Sequence, residues 1–165
     1  MVVAGPYYKV LHTRYPWVPG RGVIQGLVGA DYREMDGATS KDELRQLFQR
    51  YFEQRDEQKL STLVYWRSVR QRERSGFFHS LRNDLNYRLK KVELVALDPN
   101  TSMEYMLEGT TFRPALPPIG RMVATYEGQG NVKYFSASYF IGTKDDRYYI
   151  DLTVRQEVRV RVTGS

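Results

Sequence analysis

The chain has 165 residues, a formal net charge of +6 and no cysteine. That length suits one domain of ordinary size, which can bury a core without covalent staples. The lack of cysteine excludes disulfides, thiolate metal ligands and cysteine nucleophiles. No run approaches the ~18 apolar residues of a membrane span. The N-terminus lacks the basic and apolar regions of a signal peptide. We therefore expect a cytoplasmic protein, unless a leader has been removed.

The positive charge is concentrated in the middle of the sequence. Residues 61–91 carry eight basic and two acidic side chains, whereas the segments before and after nearly balance. A local concentration of basic residues indicates an anionic partner better than a high overall isoelectric point does.

The first part of the chain differs in composition from the rest. Residues 1–39 hold three of the seven prolines, frequent glycines and scattered aromatic residues. Glycine and proline interrupt regular structure, so this segment is predicted to be an extended arm. Two interpretations stay open: the arm lies on its own domain, or it docks on a partner. The domain proper is predicted over residues 40–154, followed by a strand extension or tail at 155–165.

Three helical segments are predicted next. The first begins at a capping box, Ser40 to Glu43, and carries an apolar stripe at helical spacing. The stripe consists of Leu44, Leu47, Phe48, Tyr51 and Phe52. A second, short helix contains Leu60, Leu63, Val64 and Tyr65, and a third runs from Gly76 to about residue 86.

Beyond residue 87 the apolar period changes from 3.6 to 2, which indicates strands. Strands are predicted at 91–97, 103–112, 121–127 and 132–141, with a fifth starting at Arg147. Residues 113–118 contain three prolines and are predicted to be a loop. Short connections between successive strands favour an antiparallel meander.

The fifth strand is too long for a domain of this size. Residues 147–161 alternate between apolar and polar side chains. At ~3.3 Å per residue they would span ~50 Å, against an expected radius of gyration of ~15 Å. The strand must therefore bend sharply or overrun the sheet near Arg155. An overrunning strand is a candidate for pairing with another chain.

Helices followed by a curved meander resemble the NTF2-like, or cystatin-like cone, superfamily. The resemblance rests on the amphipathic segment Leu47–Phe52, the penultimate hairpin and the closing turn and aromatic strand Gly142–Ile150. It implies an α+β fold in which N-terminal helices pack on a curved antiparallel sheet. Members of that superfamily include isomerases, dehydratases, transport adaptors and subunits of assemblies, so the fold alone does not decide function.

The basic segment supplies candidate anion-binding residues, because clustered arginines pair with phosphate or carboxylate groups. Its partner could be a nucleic acid, lipid headgroups or an acidic protein face. The alternative is a solvated segment between helices, partly paired with the acidic strands. The candidates are Arg67, Arg70, Arg72, Arg74, Arg82, Arg88, Lys90 and Lys91.

Candidate ligand-binding residues are mainly aromatic, since aromatics on a concave sheet can line a pocket. They also fill any β core, and that alternative stays open. His79 near Asp84 could form an acid–base pair or be structural. The candidates are Tyr51, Trp66, His79, Tyr134, Tyr149 and Asp151. No catalytic, metal or phosphate-loop motif is found, so we expect no cofactor.

These observations favour a non-catalytic binding or assembly protein, either a homo-oligomer or a partner of another protein. It would make contact through the basic segment and the terminal extensions. A small-molecule enzyme of the cone type is the first alternative, and a nucleic-acid binder is the second. Single-stranded nucleic-acid binders interleave aromatic and basic residues, and such interleaving is sparse here.

Overall fold

A computed structural model describes residues 35–156. Three helices precede seven strands. The helices are α1 (Lys41–Glu53), α2 (Glu57–Thr62) and α3 (Gln71–Asp84). The strands are β1 (Leu89–Val95), β2 (Tyr105–Leu107), β3 (Thr110–Pro114), β4 (Pro118–Glu127), β5 (Tyr134–Lys144), β6 (Arg147–Asp151) and β7 (Thr153–Arg155). The predicted α+β class is confirmed, and no helix among these residues is long and apolar enough to cross a membrane.

The strands form two antiparallel sheets. One has the order β1-β4-β5-β6, and the other has the order β2-β3-β7. Successive strands pair with each other from β4 to β6, as predicted for a meander. Strand β1 pairs with β4 instead of β2, because the β2–β3 hairpin is inserted between them in the sequence. Of the predicted arm, residues 1–34 lie outside the described part. Ala38 is fully buried and bridges to Tyr148, and Val64 bridges to Ile150, so the β6 edge is covered.

Helix α1 forms as the capping box predicts. The Ser40 hydroxyl accepts a hydrogen bond from the Glu43 backbone N–H, and the Glu43 carboxylate accepts one from the Thr39 hydroxyl. Its apolar stripe packs on the four-stranded sheet. The ring of Phe48 lies 5.6 Å from that of Tyr139, and Phe52 lies 5.2 Å from Tyr126. This interface forms the main core of the domain.

The second and third helices differ from their predicted bounds. Helix α2 ends at Thr62, so Val64 and Tyr65 are not helical. Instead, the Tyr65 N–H donates to the Ile150 carbonyl. Helix α3 begins at Gln71 rather than Gly76, so part of the basic segment is helical. Residues 71–74 therefore lie within a helix rather than between helices, and Gln71 and Arg72 among them are exposed.

The predicted single strand over residues 103–112 is wrong, because the chain reverses within it. Leu107 pairs with Thr110, and Glu108 and Gly109 both have positive φ. Two central residues with positive φ form the hairpin turn that suits twisted strands. Asp145 and Asp146 form the same kind of turn between β5 and β6. The predicted proline loop is shorter than expected, since β3 extends to Pro114 and β4 begins at Pro118.

The long fifth strand bends, as its length required. It is divided at Leu152 into β6, in the four-stranded sheet, and β7, in the three-stranded sheet. Leu152 is buried, and its carbonyl accepts a hydrogen bond from the Ala115 N–H. Any overrun of this strand past residue 156 lies outside the described residues.

Two buried strand glycines differ in the space beside them. We therefore expect substitution by alanine to lower the free energy of unfolding by different amounts at the two positions. A methyl group at Gly142 would lie 2.7 Å from Leu116 Cβ, whereas one at Gly120 would have its nearest neighbour at 3.7 Å. Gly142→Ala should therefore lower the free energy of unfolding by roughly 1–3 kcal/mol. Gly120→Ala should stay within about 1 kcal/mol of wild type. Urea denaturation followed by circular dichroism measures both, and equal effects would contradict the described packing.

Candidate functional site

Several predicted anion-binding side chains are already paired with acidic ones. Arg82 on α3 binds both carboxylate oxygens of Glu57, at 2.6 to 3.1 Å, which joins α2 to α3. This contact raises the pKa of Arg82. Lys91 Nζ lies 3.0 Å from Glu93, and Arg88 lies 4.0 Å from Glu127.

The remaining basic side chains lie in two places. Arg74 is buried, with its guanidinium 5.1 Å from the centre of the Trp66 ring. The exposed arginines Arg67, Arg70 and Arg72 lie just before and at the start of α3. Lys90, in strand β1, lies over the ring of Tyr134. The structure thus divides the predicted basic segment between the start of α3, the contact of α3 with α2, and strand β1 with the residue before it.

The predicted ligand-binding residues do not form one site. Tyr51 lies beside Lys59. Trp66 is buried and donates from Nε1 to the Ser61 carbonyl. His79 is exposed, and Tyr134 is half exposed beneath Lys90. The structure brings together only Tyr149 and Asp151.

Tyr149 and Asp151 lie on the face of β6 opposite to Ile150, since strand side chains alternate. Ile150 belongs to the main core, whereas Tyr149 packs with Tyr65 and Leu116 in a second, smaller cluster. The Tyr65 and Tyr149 rings meet edge to face at 5.6 Å. Burial raises the pKa of Tyr149, against an opposing effect of Arg147. The sheet is therefore covered on both faces at β6.

Asp151 is a buried carboxyl group at the bend between the two sheets. It is 2 % exposed, and its Oδ1 accepts a hydrogen bond of 3.0 Å from the Leu116 N–H. Its Oδ2 is buried and accepts no hydrogen bond within the described part of the chain. Burial raises the pKa of Asp151 from 3.8 to about 7, although hydrogen bonds from the Leu116 and Ala115 backbones oppose the shift. A group with this pKa can exchange a proton near neutral pH.

Sequence reasoning missed an exposed apolar strand. Met106 in β2 is 73 % exposed, and Tyr105 and Leu107 beside it are each more than a third exposed. The ring of Tyr105 stacks on Phe112 of β3 at 5.2 Å. The missed signal is Glu108-Gly109 within a run of strand formers, because glycine permits the positive φ of a hairpin turn.

Residues 35–156 contain no group of three or more His, Asp or Glu side chains placed to hold a metal ion. Comparisons with protein-family models, with curated proteins and with solved structures found no match to this chain. The class that the fold defines is thus an α+β domain of helices packed on antiparallel sheets, and function has to be inferred from its surface and its buried groups.

The buried carboxyl group predicts a particular pH dependence of stability. Because the pKa of Asp151 is higher in the folded chain than in the unfolded one, protonation favours the folded state. The contribution of Asp151 to the free energy of unfolding is fully present below about pH 4 and is lost as the pH rises through about 7. At about 1.4 kcal/mol per pKa unit, the loss reaches up to ~4 kcal/mol.

Asp151→Asn keeps an acceptor for Leu116 but does not titrate. The free energy of unfolding of wild type relative to Asp151→Asn should therefore fall between pH 4 and pH 8. Urea denaturation across this range measures the difference. A difference that stays constant with pH would show that Asp151 does not have a raised pKa.

Proposed function

We propose that this protein is a non-catalytic binding or assembly protein, and that strand β2 is its main contact surface. The observation that carries the proposal is the exposed apolar side chain of Met106, with Leu107 next to it, on the outer strand of a sheet. Among residues 35–156, β2 pairs only with β3. An outer strand offers backbone donors and acceptors on its open side, and a partner strand can pair with them.

The two outer strands of the four-stranded sheet, β6 and β1, are less suited to a partner. The β6 edge is covered by bridges to Ala38 and Val64. Strand β1 has an irregular register between Leu89 and Lys91 and carries the exposed charges of Lys90 and Lys91. Bulges and lysines are the means by which proteins prevent strand pairing at an edge. Strand β2 itself contains no charged residue.

The way in which the core is filled also supports binding rather than catalysis. The space between α1 and the four-stranded sheet contains Leu44, Phe48, Phe52 and Tyr126, all nearly inaccessible. In an NTF2-like cone enzyme this space would hold the substrate. Trp66 and Phe77, which flank the basic segment, are buried as well, so they offer no stacking surface to a nucleic acid. The exposed arginines around the start of α3 fit a secondary contact with an acidic partner.

A second candidate function rests on Asp151 and Tyr149. They share one face of β6 beside Leu116, and Asp151 Oδ2 is buried and accepts no hydrogen bond in the described part of the chain. Buried titratable groups with raised pKa values are found at acid–base sites, so a small-molecule site at the second cluster is the alternative proposal. A compound that raises the melting temperature of wild type but not of Asp151→Asn would support it. Equal stabilisation of both proteins, or none from a broad library, would remove it.

Site-specific photo-crosslinking tests the main proposal. A photoreactive residue at Met106 should form discrete protein adducts in cells expressing the full chain, because β2 would contact its partner directly. The matched control is the same residue at Val132, which is 54 % exposed but lies next to a different turn, before β5. Adducts at Met106 should disappear when Leu107→Lys is added. No adducts at Met106, or the same adducts at both positions, would contradict the proposal.

A further inference from the structure

We infer that the partner strand at β2 is residues 158–162 of a second copy of this chain. This inference rests on the proposed function, and it specifies the partner. Strand β2 lies in the described part of the structure, whereas residues 158–162 are known from the sequence alone.

Acidic residues flank the apolar strand β2. Glu104 precedes it and lies 3.5 Å from Arg113 of β3, Glu108 follows it, and both acidic side chains are exposed. If two β2 strands paired with each other in antiparallel fashion around Met106, Glu104 of each copy would face Glu108 of the other. Like charges directly opposite each other destabilise strand pairs. The preferred partner is therefore an extended segment that is both apolar and basic.

The end of this chain has that composition. Residues 158–162 read Val-Arg-Val-Arg-Val, so in an extended conformation the valines share one face and the arginines share the other. On β2, Tyr105 and Leu107 share one face, whereas Met106 lies on the other. An antiparallel register with Arg159 opposite Glu108 places Val160 opposite Leu107 and Val162 opposite Tyr105. Arg161 then lies opposite Met106, within diagonal reach of Glu104.

The position of β7 indicates that a different copy supplies the segment. β7 pairs with the side of β3 that faces away from β2, and the Gln156 N–H donates to the Thr111 carbonyl at 2.8 Å. From there the open side of β2 is three strand spacings away, about 14 Å. The two residues to Val158 span at most ~7 Å. A chain therefore cannot lay its own residues 158–162 along its own β2.

A charge exchange in the full chain tests the inference. Sedimentation velocity at low salt should show concentration-dependent self-association of wild type in the range of about 10–500 µM, as expected for a small interface. Reversing Arg159 and Arg161 to Glu should weaken association at least ~10-fold, and so should Glu104→Lys with Glu108→Lys. The protein with all four substitutions should regain it.

The control is Lys133→Glu with Lys144→Glu, which reverses two exposed charges elsewhere and should leave association unchanged. The two double reversals shift the net charge in opposite directions, and all four substitutions together leave it as in wild type. Weakening by both double reversals, restoration by all four substitutions and no effect of the control together support the inference, because a general effect of net charge would act in opposite directions in the two double reversals and would also appear in the control. A monomer at every concentration overturns it, and so does association that ignores these substitutions.

A labelled peptide of residues 157–163 separates the two proposals. Its binding to the full chain carrying Arg159→Glu and Arg161→Glu is measured by fluorescence anisotropy, with Met106→Lys added as the control. In one outcome the peptide binds, Met106→Lys abolishes the binding, and wild type is a monomer. That result overturns the second copy as the partner but retains β2 as a contact surface. Absence of peptide binding together with a monomeric wild type overturns residues 158–162 of a second copy as the partner, whereas β2 as a contact surface is decided by the photo-crosslinking at Met106.

Discussion

The bend at Leu152 is the constraint on which the rest of this structure depends. It lets one stretch of chain belong to two sheets, as β6 and then as β7. Two hydrogen bonds attach residues 115 and 116 at this bend. The Ala115 N–H donates to the Leu152 carbonyl, and the Leu116 N–H donates to the Asp151 carboxyl group. The same residues link β3 of one sheet to β4 of the other. The two sheets are thus joined by two neighbouring connections, and the orientation of the β2–β3 hairpin follows from them.

The sequence predicts well those elements whose signals are local. The cap at Ser40 and the stripe that follows it define α1, and the change of period to 2 indicates the strands. The alternation over 147–161, compared with the size of the domain, predicts either a bend or an overrun of the sheet. It does not place the bend at Leu152, because that position depends on the β3–β4 connection packing against the strand from 35 residues away in sequence. The Glu108–Gly109 turn is missed because strand propensity on both sides of it outweighs a single glycine.

For the candidate sites, too, the sequence predicts local features but does not predict contacts between distant segments. Alternation predicts that Tyr149 and Asp151 share a face, but their burial arises from Tyr65 and Leu116, which come from distant parts of the chain. The concentration of basic residues at 61–91 is evident in the sequence. Its division by Glu57 and Trp66 is not, since these contacts depend on how the segments before α3 pack against that helix. The exposure of Met106 likewise depends on its lying in an outer strand.

The covered β6 edge has a consequence for how the four-stranded sheet can be extended. Ala38 and Val64 each make only an isolated bridge to it, yet both residues are completely buried. Two short crossings of the same chain therefore occupy the positions that an incoming strand would need. This sheet cannot become the middle of an indefinite stack of strands, because one side is closed before any neighbour arrives. The four-stranded sheet is thus closed at β6, although the three-stranded sheet exposes an apolar outer strand.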